Sequence, residues 1–597
     1  MREYSLPALR EVPPGATLGD LVHRNAEKYP DVAVIARKRD SRWEDLTAVE
    51  FLAEVRAAAK GLIASGIEPG DRVAIMSRTR YEWTLLDFAI WCAAAVTVPV
   101  YETSSAEQVQ WILSDSGAVA VITETAAHTA VVGKVQEQVP DLAHIWEIEA
   151  DAVATLVRTG ADVTDAALDE RRSAIAGDSL ATIVYTSGTT GRPKGCRITH
   201  GNFLGELSNA TARLPQLFRT GESSVLLFLP LAHVFGRIVE VAAALVPIKI
   251  GHVGDVKNVT DELGTFRPTL ILGVPRVFEK VFNTARTQAQ LTHRGRIFDI
   301  AADTAIAYSR ALDADHVPLG LRLRHQLFDR LVYRKLRAAL GGRATHALSG
   351  GAPLGERLGH FFRGVGFTVL EGYGLTETSG IATFNPDDRP KIGTVGQPVP
   401  GTTVRIDEDG EILLRGPQMF PGYWNNPVAT ANTFRDDWFA TGDIGSLDDE
   451  GYLAITGRKK ELIVTAGGKN VAPAVIEDRI RAHAIVGEVV VVGDAKPFVT
   501  CLVTVDSEHF PIWKQLHGKP SEATLEDLDS DPELLSAIQA AVDDGNAAVS
   551  RAEAVRKFRL LRTEFTEANG YLTPSLKLKR NVVLRDFADE IEALYST

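Results

Sequence analysis

Short unbroken apolar runs alternate along this chain with longer stretches of helical character. Arg72-Val73-Ala74-Ile75-Met76 and Ala118-Val119-Ala120-Val121-Ile122 have the length and β-branched content of buried strands, and Tyr81 to Ala95 between them reads as a helix. Further strands are predicted at Ala181 to Val184, Val225 to Leu229, Thr269 to Leu272, His346 to Leu348 and Phe367 to Leu370, with helical spacers such as Ile297 to Arg310. Apolar strands separated by helices predict parallel sheets covered on both faces.

Near Val404-Arg405-Ile406 and Glu411 to Leu414 the helical spacers vanish and the strands become short and turn-connected, as a small barrel or meander requires. After the charged run Gly457-Arg458-Lys459-Lys460-Glu461, strands at Val489 to Val492 and Thr500 to Val505 predict a smaller α+β unit. The expected class is α/β: a large N-terminal domain of doubly wound sheets plus a small barrel, residues 1–457, followed by a smaller α+β C-terminal domain, residues 458–597. A chain of 597 residues is too long for one compact core, which agrees with two domains. The acidic, helix-prone insertion between Asp506 and Asp544 reads as a solvated helical face.

Composition, with 45% apolar and 24% charged residues, is that of a globular protein. The net charge of −13 argues against nucleic acid as a partner, so an anionic ligand must rely on local basic groups. Cys92, Cys196 and Cys501 form no CxxC pair and leave an odd number, which supports neither a disulfide framework nor a zinc site and fits a reducing cytoplasm. The N-terminus lacks the apolar core of a signal peptide, and the longest apolar stretch, Phe88 to Val100, is interrupted by Thr97 and Pro99 and does not span a membrane.

The most specific chemistry follows the strand Ala181 to Val184: Tyr185-Thr186-Ser187-Gly188-Thr189-Thr190-Gly191-Arg192-Pro193-Lys194-Gly195. Glycines let backbone N–H groups turn around an anion, Ser and Thr hydroxyls add donors, and Lys194 supplies a mobile positive charge. The pattern is not a Walker A loop, because Pro193 precedes Lys194 and Gly195 follows it. A second strand runs into Leu370-Glu371-Gly372-Tyr373-Gly374-Leu375-Thr376-Glu377, a third into Ser349-Gly350-Gly351-Ala352-Pro353, and loops at strand carboxyl ends are where α/β sheets bind ligands. Trp438 to Asp443, the charged run at Arg458, and Leu572-Thr573-Pro574-Ser575-Leu576-Lys577-Leu578-Lys579-Arg580 complete the set.

Together these segments resemble the adenylate-forming superfamily of acyl-CoA synthetases, luciferases and peptide-synthetase adenylation domains. The resemblance implies ATP as substrate. Thr186, Ser187, Gly188, Thr189, Thr190, Gly191 and Lys194 would grip its pyrophosphate end, Gly350, Gly351 and Ala352 would lie against adenine, and Tyr373 with Gly374 would pack on it. Thr376 would bond the α-phosphate, Glu377 with Thr186 would hold Mg²⁺, Asp443 would accept the ribose hydroxyls, and Arg458 would reach nucleotide oxygens. Lys577 matches the catalytic lysine, with Lys579 as the competing register. Thr376 and Glu377 share the catalytic role. The resemblance also implies a mobile C-terminal domain that turns about Lys460 and presents Gly467, Gly468 and Lys469 to the pantetheine of coenzyme A.

The strings Val100 to Ser105 and Gly273 to Lys280 resemble long-chain fatty-acyl-CoA synthetases of the AMP-forming bacterial type. The segment Leu231-Ala232-His233-Val234-Phe235-Gly236-Arg237 lies on the acyl side in such enzymes and offers aliphatics rather than an aspartate for an amine, which implies a long-chain fatty acid. His233 reads as a packing or gating residue, since carboxylate substrates arrive ionised and need no base. A fatty-acyl-AMP ligase that hands the acyl group to a carrier-protein pantetheine is the alternative. Oligomeric state is not legible, with a homodimer one option. Peripheral contact with a membrane suits a substrate that partitions into lipid, although no amphipathic anchor stands out.

Overall fold

The computed structural model describes residues 2–40, 42–186, 192–255, 258–314, 316–573 and 577–596. Two large sheets carry the N-terminal part. The first orders His144–Glu147, Ala118–Thr123, Arg72–Met76, Val96–Val100 and Leu180–Thr186 as parallel neighbours, closed at one edge by the antiparallel strand Lys194–Thr199. In the second, Thr368–Tyr373, His346–Ser349, Leu270–Gly273, Ser224–Leu227, Lys249–His252 and Ala33–Arg39 run parallel, with antiparallel strands at both edges.

Their central strands are apolar throughout because helices cover both faces. The helix Tyr81–Cys92 is correspondingly buried on nearly every side, and no amphipathic stripe is visible in its sequence. A small antiparallel sheet follows, built on Thr403–Ile406, Glu411–Arg415, Trp438–Leu447 and Leu453–Arg458, with Glu3–Ser5 as its outer strand.

Beyond it, Val486–Val492, Val499–Val505 and Val555–Leu561 form a three-stranded sheet with its own cores. The valine run divides by strict alternation: Val489 and Val491 face Ile476, Trp513 and Ile538, while Val490 and Val492 face Phe565, Phe587 and Ile591. Helices therefore pack on both sides of this sheet.

The insertion is not a solvated face. Within the helix Pro532–Asn546, Leu534, Ile538, Ala541 and Val542 are buried at helical spacing against the helix Pro473–Arg481, and acidic residues occupy only the outer positions. Its first residues also reach the N-terminal part: Asp506 pairs with Arg276 at 2.7 Å and Glu508 with Lys280 at 2.7 Å.

Candidate active site

The carboxyl ends of the two parallel sheets deliver the predicted segments to one region. Thr186 ends its strand paired with Lys194, whose strand returns beside it. Residues 187–191, which include the expected Ser187, Gly188, Thr189, Thr190 and Gly191, lie outside the described residues, as do Pro574, Ser575 and Leu576.

The downstream arm of that loop is held by aromatic side chains. Trp111 donates from Nε1 to the Pro193 carbonyl at 2.9 Å, and the Arg192 guanidinium lies 4.8 Å from the Trp111 ring centroid. Lys194 stands 5.1 Å from the Tyr423 ring, and the Trp424 N–H donates to the Gly195 carbonyl at 2.7 Å.

Tyr423 links this loop to the second motif, since its hydroxyl donates to Glu377 Oε1 at 2.7 Å. Cys196 is buried between them. Burial first and the Glu377 charge second push its thiol well up, and Thr186 and Lys194 are also its neighbours. Sequence reasoning missed Tyr423, whose signal was an aromatic pair set between the turn formers Pro421-Gly422 and Asn425-Asn426-Pro427.

Thr376 and Glu377 occupy a single 3₁₀ turn, Thr376–Thr378, directly after the strand Thr368–Tyr373. Gly374 is required there, because a Cβ at that position would come within 1.8 Å of the Gly380 carbonyl oxygen. Tyr373 donates its hydroxyl to Asp443 Oδ2 at 2.6 Å, which locks the ring. Burial and then the Asp443 carboxylate push that phenol well above its ordinary pKa, so it stays a donor. Arg458 Nε contacts the other oxygen of Asp443 at 3.0 Å. The two face each other across the strands Trp438–Leu447 and Leu453–Arg458.

Gly350, Gly351 and Ala352 follow the strand His346–Ser349, with Gly351 in the left-handed region at φ 84°. Ser349 Oγ is buried with no hydrogen-bond partner among the described residues, a polar atom that a bound ligand would satisfy.

Lys577 comes from the far end of the chain into this group. Its backbone exchanges hydrogen bonds with Thr573, and Arg580 ties the segment down through Glu477 at 2.5 Å and the Val491 carbonyl at 2.9 Å. Solvent still reaches the Lys577 side chain, yet the protein crowded around it displaces enough water to lower its pKa. Desolvation is the largest cause and Arg458 the next, with Glu377 and Asp443 pulling the other way. The ammonium of Lys577 is thus electrostatically coupled to all three. Lys579 instead caps the helix Arg580–Asp586, its N–H bonded to the Tyr571 carbonyl.

His233 accepts the Phe235 N–H on Nδ1 at 3.1 Å and caps the helix Val234–Leu245. Burial, with the nearby Lys577 charge, lowers its pKa to about 3, so the imidazole is neutral at physiological pH. Arg237 points away from the site to Asp87 at 2.7 Å. The buried acid beside Gly380 and Ile238 is Glu206, which accepts the Ile381 N–H at 2.7 Å and whose pKa burial pushes well up. Burial thus works against its charged form.

Gly467, Gly468 and Lys469 do not join this constellation. They form the tip of the hairpin Ile463–Val464 and Asn470–Val471, where Lys469 pairs with Glu553 at 3.6 Å. Gly468 has φ 77° and open space where a Cβ would stand.

Two domains meeting over glycine-bearing loops at the ends of doubly wound sheets define an adenylate-forming type of ligase. The chain belongs to the AMP-binding enzyme family: the model for AMP-binding enzymes matches residues 22–424, and that for the AMP-binding enzyme C-terminal domain matches residues 460–597. It is 51% identical to the long-chain-fatty-acid--CoA ligase FadD15 of Mycobacterium tuberculosis over the whole of both chains. It is 29% identical to the long-chain-fatty-acid--CoA ligase ACSBG2 of Xenopus laevis, over 98% of this chain and 84% of that protein. Among solved structures, it resembles the anthranilate CoA ligase AuaEII in complex with anthranoyl-AMP, with TM-score 0.71, 19% identity and coverage of 98% and 99%. A Mycobacterium tuberculosis fatty acyl CoA synthetase matches with TM-score 0.62, 24% identity and coverage of 96% and 99%.

Proposed function

We propose that this protein activates a long-chain fatty acid with ATP to the acyl-adenylate and then transfers the acyl group to coenzyme A, releasing pyrophosphate and AMP. The observation that carries the reading is the approach of Lys577, from the last segment of the chain, to Glu377, Asp443 and Arg458. Joining a carboxylate to the α-phosphate brings two anions together, and an ammonium fixed at the junction lowers that electrostatic barrier. Thr376 would orient the α-phosphate, Lys194 and the loop beginning at Thr186 the leaving pyrophosphate, and Tyr373, Gly350, Gly351, Ala352 and Asp443 the nucleoside.

The residues present fit ATP: the cradle at Gly374 excludes a side chain and Ser349 offers an unsatisfied hydroxyl. They also fit Mg²⁺, which takes one or two carboxylates together with substrate phosphates rather than an all-protein cage. Glu377 and Thr186 would be the donors, and the ion would neutralise phosphate charge when bound.

The fatty acyl preference rests on the full-length relative. For the second step, residues 458–597 would turn about Lys460, withdrawing Lys577 and bringing the hairpin tip of Gly467, Gly468 and Lys469 to the site. A cytoplasmic enzyme suits the three unpaired cysteines.

The test is release of pyrophosphate on adding palmitate and ATP, followed by AMP release that depends on coenzyme A. Pyrophosphate release without any response to coenzyme A would favour a carrier-protein acceptor, and no pyrophosphate release would overturn the reading.

A further inference from the structure

One helical segment runs from Leu319 to Ala339, α-helical over Leu319–Phe328, π-helical over Asp329–Tyr333 and α-helical again over Arg334–Ala339. Its inward face is fully committed. Phe328, Tyr333 and Leu336 are buried, His325 stacks on Tyr308 with ring centroids 3.8 Å apart, and the Tyr333 hydroxyl donates to the Ala301 carbonyl at 2.7 Å. These contacts fix it antiparallel to the helix Gly295–Asp313 and leave its other face pointing outward.

That outward face is not polar. Leu319, Leu323, Leu327 and Leu331 recur every four residues and are 76%, 66%, 55% and 52% exposed. A four-residue spacing drifts around an α-helix by about 40° per step, and the wider π turn at Asp329–Tyr333 offsets part of that drift, so all four leucines remain on the outward side. The antiparallel neighbour extends the strip, with exposed Ile300 toward the Leu331 end and exposed Leu312 toward the Leu319 end.

The leucines are interleaved with cations. Between residues 316 and 343 there are seven Lys and Arg against one Asp, in a chain whose net charge is −13. Arg322, Arg330, Arg334 and Lys335 are exposed on or beside the stripe. Long basic side chains can lay their stems along apolar surface while the charged ends reach outward to phosphate.

We infer that this face, Leu319 to Leu331 with its flanking arginines, docks the protein on an anionic lipid bilayer. Apolar side chains protruding from a rigid helix among cations suit a headgroup layer, where the leucines enter the acyl boundary and the arginines meet lipid phosphates. A two-fold dimer through the same patch is disfavoured by charge, because an isologous interface would set basic face against basic face. A single segment of this kind gives reversible attachment, which suits an enzyme that collects an amphiphile from the membrane and returns its product to water.

The experiment is co-sedimentation of the full chain with phosphatidylcholine vesicles, with and without phosphatidylglycerol. Wild type should partition onto the phosphatidylglycerol vesicles and lose binding as salt rises. The variant L319Q/L323Q/L327Q/L331Q should bind at least about ten-fold less. The charge variant R322E/R330E should lose the preference for anionic lipid. Because all six positions are on the surface, an unchanged thermal transition verifies folding. Wild type left in the supernatant, or equal sedimentation of the leucine variant, would overturn the proposal. So would a wild-type dimer that ignores vesicles and becomes monomeric in the leucine variant. Sedimentation involves no turnover, so its failure is distinguishable from failure of the proposed reaction.

Discussion

Two groups of charged side chains in this protein, one sealed in the core and one reached by solvent, are built on opposite principles. Arg237, Asp87 and Glu240 all come from the N-terminal part and are at most 2% exposed. Arg237 sits 2.7 Å from Asp87 and lies against the rings of Trp83 and Trp91, at 5.2 and 5.4 Å. Burial pushes both carboxyl groups up, and Arg237 opposes the shift. Lys577, Arg458, Asp443 and Glu377 come instead from separate segments spread over residues 377–577, and solvent reaches Lys577 and Arg458. The first group staples helix to helix and offers nothing to a ligand. In the second, Asp443 and Arg458 pair across neighbouring strands while Lys577 arrives from the last segment of the chain, so in the proposed reaction its charge would be usable in one step and removable in the next.

The largest expected effect is on the staple. Arg237→Ala leaves a buried carboxylate uncompensated and should cost about 3–5 kcal/mol of stability by denaturant unfolding, without changing the ratio of the two half-reactions in the folded fraction. Unchanged stability would make the two groups less different than they look.

On the site, Lys577→Ala should slow adenylate formation by about 10²–10³, the scale for removing one preorganised electrostatic contact. The lysine also predicts a pH dependence. The ammonium does the work and its pKa is lowered by desolvation, so kcat/KM for adenylation should fall as pH rises through a value below that of an ordinary lysine. A limb at the ordinary value would mean that Lys577 is not crowded in solution.

Tyr423→Phe removes the donor to Glu377 and should cost about 1.5 kcal/mol, roughly ten-fold in adenylation, by steady-state kinetics. The smallest effect belongs to the partly exposed interdomain pair of Arg276 with Asp506. Arg276→Ala should shift the ratio of half-reaction rates by no more than about five-fold, and high salt should erase the difference.

Much of the sheet architecture was legible, because parallel strands buried on both faces are written as plain apolar runs such as Val225 to Leu229. The glycine-bearing turns were legible for a related reason: Gly374 and Gly351 stand where backbone must approach closely or take positive φ. What escaped depends on contacts between distant segments. Tyr423 shows its relation to Glu377 only when a strand pair and a loop more than forty residues apart meet, at a separation of 46. The insertion hid its buried stripe at Leu534, Ile538 and Ala541 beneath an acidic composition. The outward direction of the leucines at 319, 323, 327 and 331 is set by how their helix packs on its neighbour, which their spacing alone does not record.

The central claim is that Lys577 serves the first half-reaction from a domain that must then move away. It is tested most directly by measuring both half-reactions of Lys577→Ala separately, pyrophosphate release from ATP with palmitate, and thioester formation from supplied palmitoyl-adenylate with coenzyme A. The account predicts loss of the first with the second largely intact. Equal loss of both would contradict it.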